Sequence, residues 1–533
     1  MLRKIAVRAN IIYVFGLVII FAGAIWMRVN LPPMPFSDRD TWGYLQPALS
    51  QLATGSLDPT HRGFLYPAVL GTILKIWPNF VAISVVQHGA GLIAGVFLVV
   101  AWQRMRIFLP LGRVVQPCYF LAGWLMLTVY LFSYASILYE HTIRPEAFFP
   151  LITILCILLA TEVSRRILIK SSRTISYAIL VVLLTVLSFA NYYLKPAWGL
   201  ALLVAMAPIM AIPGQVVTRK LLPLCVGFLI VLALFIVPER SFHRTVNGNS
   251  SFLARTAFCA SGEIIYGVLK QDSSLPASDP LQTAAQQLLP YFEAAMQPPH
   301  RSLPFGFSRL NPDTLMYGGA MDKLRKMCHE NTEELIAACF TYYWRAWFHD
   351  PLAMLRKIVL QIVYFYCPWK SVIYAQGQDF HLTARLQESL SNLQMIHNES
   401  SYSWPPYQKY KQQLQAWVDQ MPNRSIPSFI VALSTLLNPL YTPIVLLSAG
   451  LALWTLLSKT SRFSGLQPSA RWCLYLLSYN FAMTFTIAVV HIVAVDRYHF
   501  SQTIFSILSQ SFAAIFLICA VSHLRGHSSV NAK

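Results

Sequence analysis

Four short stretches hold most of the residues whose types and spacing could do chemistry. The first reads Pro35-Phe36-Ser37-Asp38-Arg39-Asp40-Thr41-Trp42-Gly43-Tyr44, with His61-Arg62-Gly63-Phe64-Leu65-Tyr66-Pro67 soon after it. Of the paired carboxylates Asp38 and Asp40, one could take the proton of an attacking hydroxyl. Together they could also ligate a divalent cation, since hard cations favour oxygen. The plain structural alternative is that Asp38 or Asp40 caps a helix beginning near Thr41. The second stretch, Tyr139-Glu140-His141-Thr142-Ile143-Arg144-Pro145-Glu146-Ala147-Phe148-Phe149, crowds ionisable groups against the start of an apolar run. Glu146 there suits the positive end of a helix dipole, or a working site. In the third, Tyr192-Tyr193-Leu194-Lys195-Pro196-Ala197-Trp198-Gly199, a lone cation sits between two apolar runs. Lys195 either snorkels to an interface or meets a phosphate. Arg497-Tyr498, with Asp496 beside it, repeats the situation near the C-terminus.

The elements that must position these groups are membrane helices. Of 533 residues, 56% are hydrophobic and 12% charged, against roughly 45–50% and 25% in soluble domains. Apolar runs at 11–29, 81–102, 114–134, 146–162, 176–194, 196–212, 221–238, 428–457, 470–493 and 499–522 give ten expected spans. Residues 64–77 are too few to cross easily and read as a helix at the membrane surface. The net charge of +19 is not a nucleic-acid signature. Its cations lie in short loops between the runs, as the positive-inside rule predicts, and no domain-wide basic face exists. Arg3/Lys4/Arg8, Arg104/Arg106/Arg113, Arg165/Arg166/Lys170/Arg173, Arg219/Lys220, Lys459/Arg462 and Arg525 all fall on one side when the runs alternate. Loops 30–80, 135–145, Tyr192–Lys195, 239–427 and 494–498 then face out, and the acidic segments with them. The run from Ile11 is long enough to be an uncleaved first span rather than a signal peptide.

The expected architecture is an all-α polytopic membrane protein with about ten or more transmembrane helices and a mainly α extracytoplasmic domain. Residues 1–238 form the N-terminal transmembrane module, 239–427 the outer domain and 428–533 the C-terminal helices. Within the outer domain 332–348 and 351–366 read as helices, with Asp350-Pro351 at a helix start. Tyr364, Phe365, Tyr366 and Trp369 read as an interfacial aromatic belt. Cys259, Cys328, Cys339 and Cys367 could form disulfides there. The sequons at Asn249, Asn398 and Asn423 also lie in this region. No cysteine or histidine spacing marks a zinc site, so no metal site is assigned.

Taken in order, these motifs resemble those of the GT-C superfamily, integral-membrane glycosyltransferases that use polyprenyl-phosphate-linked sugars, such as protein O-mannosyltransferases and lipid A aminoarabinose transferases. Asp40-Thr41-Trp42-Gly43-Tyr44 is similar to their acidic first-loop motif, and Arg62 with Tyr66-Pro67 to the Arg…Tyr-Pro element. Arg144-Pro145-Glu146 resembles the second-loop acidic motif, Leu194-Lys195-Pro196 with Gly199 the basic turn, and Arg497-Tyr498 the late Arg-Tyr element. The resemblance covers roughly the first 240 residues and the C-terminal spans weakly. It implies inverting sugar transfer at the outer face of a bacterial inner membrane. Asp40 or Asp38 would be the base and Lys195, Arg62 and Arg497 would bind the leaving phosphate. Glu146 would orient the donor or hold a divalent cation, with Tyr44 and Tyr66 beside it. The partners implied are the lipid-linked donor, a glycan, lipid or protein acceptor, and the bilayer. A transporter or flippase for an anionic or lipid-linked solute is the alternative, and a non-catalytic assembly protein a third reading.

Overall fold

The computed structural model describes residues 2–531 except 57, 61, 113–114, 170–173, 213–216, 245–249, 298–309, 368–379, 394–402, 419–423, 459–460, 492–497 and 499–500. Arg497, Asp496, Trp369 and the three sequon asparagines lie outside the described residues. Among the described residues the regular elements are helices, and an isolated parallel bridge joins Phe36 and Thr142.

Nine helices among the described residues are long and apolar enough to cross a membrane, so the chain is a multi-pass membrane protein. In chain order the helices are α1 Leu2–Val29, α2 Trp42–Thr54, α3 Leu65–Ile76, α4 Val81–Met105, α5 Val115–Phe132, α6 Tyr134–His141, α7 Phe149–Leu168 and α8 Thr174–Leu194. They continue with α9 Gly199–Met210, α10 Leu222–Val231 and α11 Val237–Phe242, the last two parts of one crossing, Arg219–Phe242. Then come α12 Phe252–Ala260, α13 Gly262–Ser273, α14 Pro280–Met296, α15 Pro312–Met316, α16 Gly319–Met327, α17 Thr332–His349 and α18 Pro351–Tyr366. The chain ends with α19 Leu382–Leu393, α20 Pro405–Val418, α21 Ser428–Leu457, α22 Gln467–Val490 and α23 Thr503–Asn531.

The expected span at 196–212 is corrected. Its first residues form a separate 3-10 turn, Pro196–Trp198, because Pro196 opens a new helical start. What remains is a helix of 12 residues, Gly199–Met210, below spanning length. It still runs between the two ends of the bundle. Lys195 before it meets Glu146, and the Met210 carbonyl after it accepts Lys220 Nζ at 2.8 Å. The helix expected within 64–77 is present as α3, with 12 residues. The expected helices at 332–348 and 351–366 are present as α17 and α18, and the Asp350 side chain accepts from Ala353 N at 2.9 Å as the cap.

Contacts between helix ends define two poles. Arg28 reaches Glu140, Phe64 N donates to Glu239 and Lys195 reaches Glu146 at one pole. At the other, Phe108 stacks on Trp472 and Arg219 lies over the Tyr177 ring. The cationic ends of α4, α7 and the Arg219–Phe242 crossing are all at this second pole, away from the acidic loops. A main hydrophobic core runs through the bundle and takes in Phe380, Leu386, Tyr407, Tyr410 and Leu414, so α19 and α20 are packed onto the first pole. Phe80 stacks on Tyr410 at 4.1 Å and Tyr410 donates to the Pro35 carbonyl at 2.7 Å. Residues between Ala254 and Met354 build a second core of their own. All nine cysteines are free thiols.

Candidate functional site

The outer-loop residues singled out by spacing meet at the first pole. Arg62 Nη2 lies 2.5 Å from Asp40 Oδ1, and Arg144 Nη2 lies 3.3 Å from Asp40 Oδ2. Arg144 Nε also pairs with Asp38, and its Nη1 is 3.8 Å from Glu146 Oε1. The same Glu146 oxygen takes Lys195 Nζ at 2.7 Å. One chain of alternating charge therefore runs Arg62–Asp40–Arg144–Glu146–Lys195, built from four segments distant in sequence.

Local structure explains each placement. Asp38 and Asp40 are divided in role. Asp38 Oδ1 accepts Asp40 N at 2.9 Å, Thr41 N at 3.1 Å and the Thr41 hydroxyl at 3.1 Å, fixing the turn into α2. This closes an Asx-type turn just ahead of α2, in which the aspartate oxygen takes the amides two and three residues on. Asp40 meets both Arg62 and Arg144, while Asp38 adds its second oxygen to Arg144, and the Asp40 side chain keeps 15% exposure. Gly43 gives Arg62 room, since a Cβ there would lie 2.9 Å from Arg62 Cγ. Arg144 leads into the 3-10 turn Pro145–Ala147, with Pro145 at its first position, and Glu146 follows in that turn, buried. Lys195 follows the last residue of α8, and Pro196 keeps that helix from continuing so the ammonium sits across from Glu146.

Aromatic rings line the chain of charge. Arg62 lies over Tyr44 at 5.2 Å, and Tyr44 meets Tyr66 edge-on at 5.3 Å. Tyr66 is buried and donates to Gln87 Oε1 at 2.8 Å, and burial first and then Glu146 hold its phenol well above the ordinary value. Three further aromatics join the site, Phe252 and Tyr317 from parts of the chain that carried no clear signal and Tyr498 from the Arg497-Tyr498 pair noted in the sequence. Phe252, opening α12, covers Arg62 at 4.5 Å. Tyr317 is exposed and within Coulombic reach of Arg62 and Asp40. Tyr498 covers Lys195 at 4.4 Å. Phe252 and Tyr317 bring the lobe with the second core to the Asp40 end of the site. The aromatic segment Tyr364–Tyr366 is corrected from an interfacial belt. Tyr364 and Phe365 are buried with Ile487 and Tyr498, and Tyr366 donates to Asn480 Oδ1 at 3.0 Å, because the helix carrying them packs on α22.

Behind the site lies a second, buried charge cluster. Arg28 donates to both Glu140 oxygens, at 2.6 and 2.9 Å, and to the Leu131 carbonyl at 3.0 Å. His88 Nδ1 is 3.0 Å from Glu140 Oε2 and His88 Nε2 is 2.9 Å from His141 Nδ1. Gln87 ties the segment down through the carbonyls of Glu140 and Thr142 at 3.0 and 2.7 Å. These bonds hold the strand of chain that delivers Arg144 and Glu146. Among the described residues no group of three or more His, Cys, Asp or Glu is arranged to hold a metal ion. Each site carboxylate instead engages an arginine or lysine.

No family model, curated protein or solved structure matches the chain.

Proposed function

We propose that the protein is a membrane glycosyltransferase of the GT-C type, moving a sugar from a polyprenyl phosphate to an acceptor hydroxyl with inversion. The observation that carries this reading is the convergence of Asp40, Arg62, Arg144, Glu146 and Lys195 from separate segments into one partly accessible site. In this reading the pole of the acidic loops faces the extracytoplasmic side of a bacterial inner membrane, and the cationic helix ends face the cytoplasm. Asp40 takes the acceptor's proton. The freed oxygen bonds to the anomeric carbon as that carbon's bond to the phosphate oxygen breaks. The polyprenyl phosphate leaves with its electron pair, and Lys195 and Arg62 stabilise the growing charge. Arg144 and Glu146 hold the base and the lysine in register. Exposed Tyr317 offers a ring on which a sugar can stack.

The direct test incubates radiolabelled polyprenyl-phosphate sugar with membranes containing the protein. Label found covalently in a new acceptor supports the reading. Label that crosses the membrane without a new bond overturns it in favour of a transporter. Lys195→Ala should raise the apparent KM for the lipid donor and lower kcat, because both bound donor and leaving phosphate lose a cation. Unchanged donor kinetics in Lys195→Ala would remove the phosphate role from this residue.

A further inference from the structure

Helix α18 has 16 residues and is not among the nine crossings. Its contacts nonetheless run down a membrane span. Lys357 Nζ donates to the Val489 carbonyl at 3.1 Å, Gln361 Nε2 to the Ala488 carbonyl at 3.1 Å, and Tyr366 to Asn480. As α18 advances from 357 to 366, its partner on α22 retreats from 489 to 480, so the two helices lie antiparallel. That overlap is about 14 Å at 1.5 Å per residue, about half of a hydrocarbon core roughly 30 Å thick. The end of α18 reaches a second crossing as well. Tyr366 stacks on Tyr441 at 6.1 Å, and its carbonyl accepts the Thr442 hydroxyl, both well inside α21.

The two faces of α18 differ. Met354, Lys357, Ile358, Gln361, Tyr364 and Phe365 are buried against the bundle. The polar pair among them takes up carbonyls that the last turn of α22 leaves unpaired. The other face shows Leu352, Leu355, Val359 and Val363 to the outside, at the three- and four-residue spacing of one helix stripe, with Arg356 exposed in its shallow half, where its long stem can carry the charge to the headgroups. Trp344 and Phe348 at the end of α17 extend it, Phe348 at 85% exposure. In water such a patch would be a liability.

We infer that α18 is a half-membrane helix that enters the bilayer beside α22 at the pole of the charged site, with its Leu352–Val363 stripe in lipid and Trp344 and Phe348 at the interface. Depth sets the partner. The outward face of a helix packed along the last turns of a crossing meets hydrocarbon, continuous with the lipid-facing surface of the bundle. Aromatic residues at the shallow end suit the headgroup region. The placement also gives the site a wall on its bilayer side. Tyr364 and Phe365 at the deep end pack on Tyr498, which covers Lys195.

The test places a nitroxide amino acid by codon suppression at Leu352, Val359, Val363 and, as a water-facing reference, Lys326. The full chain is reconstituted in phosphatidylcholine vesicles, and collision with oxygen and with a water-soluble nickel chelate is measured. The expected oxygen-to-nickel ratio rises from Leu352 to Val363 and at Val363 exceeds that at Lys326 on the order of ten-fold, since the bilayer core excludes hydrated polar species. High nickel accessibility at Val359 and Val363 would place the stripe in water and overturn the inference. Low accessibility to both probes would show a protein partner or a second copy on the stripe, and would overturn it equally. The readout is independent of sugar transfer, so it stands or falls apart from the proposed activity.

Discussion

Asp40→Asn should abolish sugar transfer while leaving the protein folded. The side chain stays the same size and its one remaining oxygen can still accept from Arg62 or Arg144, but it no longer takes a proton. Loss of a general base commonly costs about 10²- to 10⁴-fold, and the drop should appear in kcat with lipid-linked donor and acceptor both saturating. Asp38→Asn separates the two carboxylates. Asp38 Oδ1 holds the turn into α2 through three hydrogen bonds, and an asparagine oxygen still accepts them, so Asp38→Asn should change stability little and remove the charge facing Arg144. Its effect on kcat should be the smaller of the two. Size-exclusion profile and thermal midpoint in detergent give the folding control. Full activity in both variants would remove a carboxylate base from the mechanism.

This division between Asp38 and Asp40 shows what sequence spacing can and cannot reach. Charged residues at the ends of long apolar runs are conspicuous because hydrophobic segments tolerate few of them. That is why Asp40, Arg62, Glu146 and Lys195 were legible, and why alternation placed them together. Which carboxylate turned inward was not legible, because capping and catalysis ask for the same residue at the same place. Arg28 was missed for a related reason. At the end of α1 it reads as a flanking cation, and only tertiary packing brings it to Glu140, 112 residues away. Phe252 and Tyr317 come from polar stretches where an aromatic has many possible uses. The length of Gly199–Met210 was misjudged because hydropathy continues through Pro196 although the helix does not. α18 was recognised as a helix, yet each face mixes apolar residues with a cation, Lys357 on the buried face and Arg356 on the exposed one, so periodicity alone did not show which was buried or that it lay along α22.

The buried cluster behind the site should be the most sensitive point for stability. Arg28→Ala would leave Glu140 as a buried carboxylate with His88 as its remaining side-chain partner, and breaking a buried pair in this way costs about 3–5 kcal/mol. Gly91→Ala should act through the same residue. A Cβ at position 91 would overlap the Glu140 carboxylate, so Glu140 must leave its place. Both variants should show a clear fall in thermal midpoint and yield. The double variant Arg28→Met/Glu140→Leu removes both charges and should regain much of the loss, because two apolar groups need no partner. Equal loss in the single and double variants would show that shape, rather than charge compensation, sets the sensitivity. The pH dependence has a definite sign. Burial raises the Glu140 carboxyl, but Arg28 and His88 outweigh it and leave it below its ordinary value. Burial first, and His88 next, hold the His141 imidazole well below its own. Both groups bind protons more readily unfolded than folded. Their stabilisation is therefore complete above the unfolded histidine range, near pH 6.5, and drains away as pH falls through the folded values. The thermal midpoint should decline from neutral pH into acid, and His141→Gln should flatten the upper part of that decline. A midpoint independent of pH between 7 and about 4, the unfolded carboxyl range, would show that His141 gains its proton without cost to the folded state.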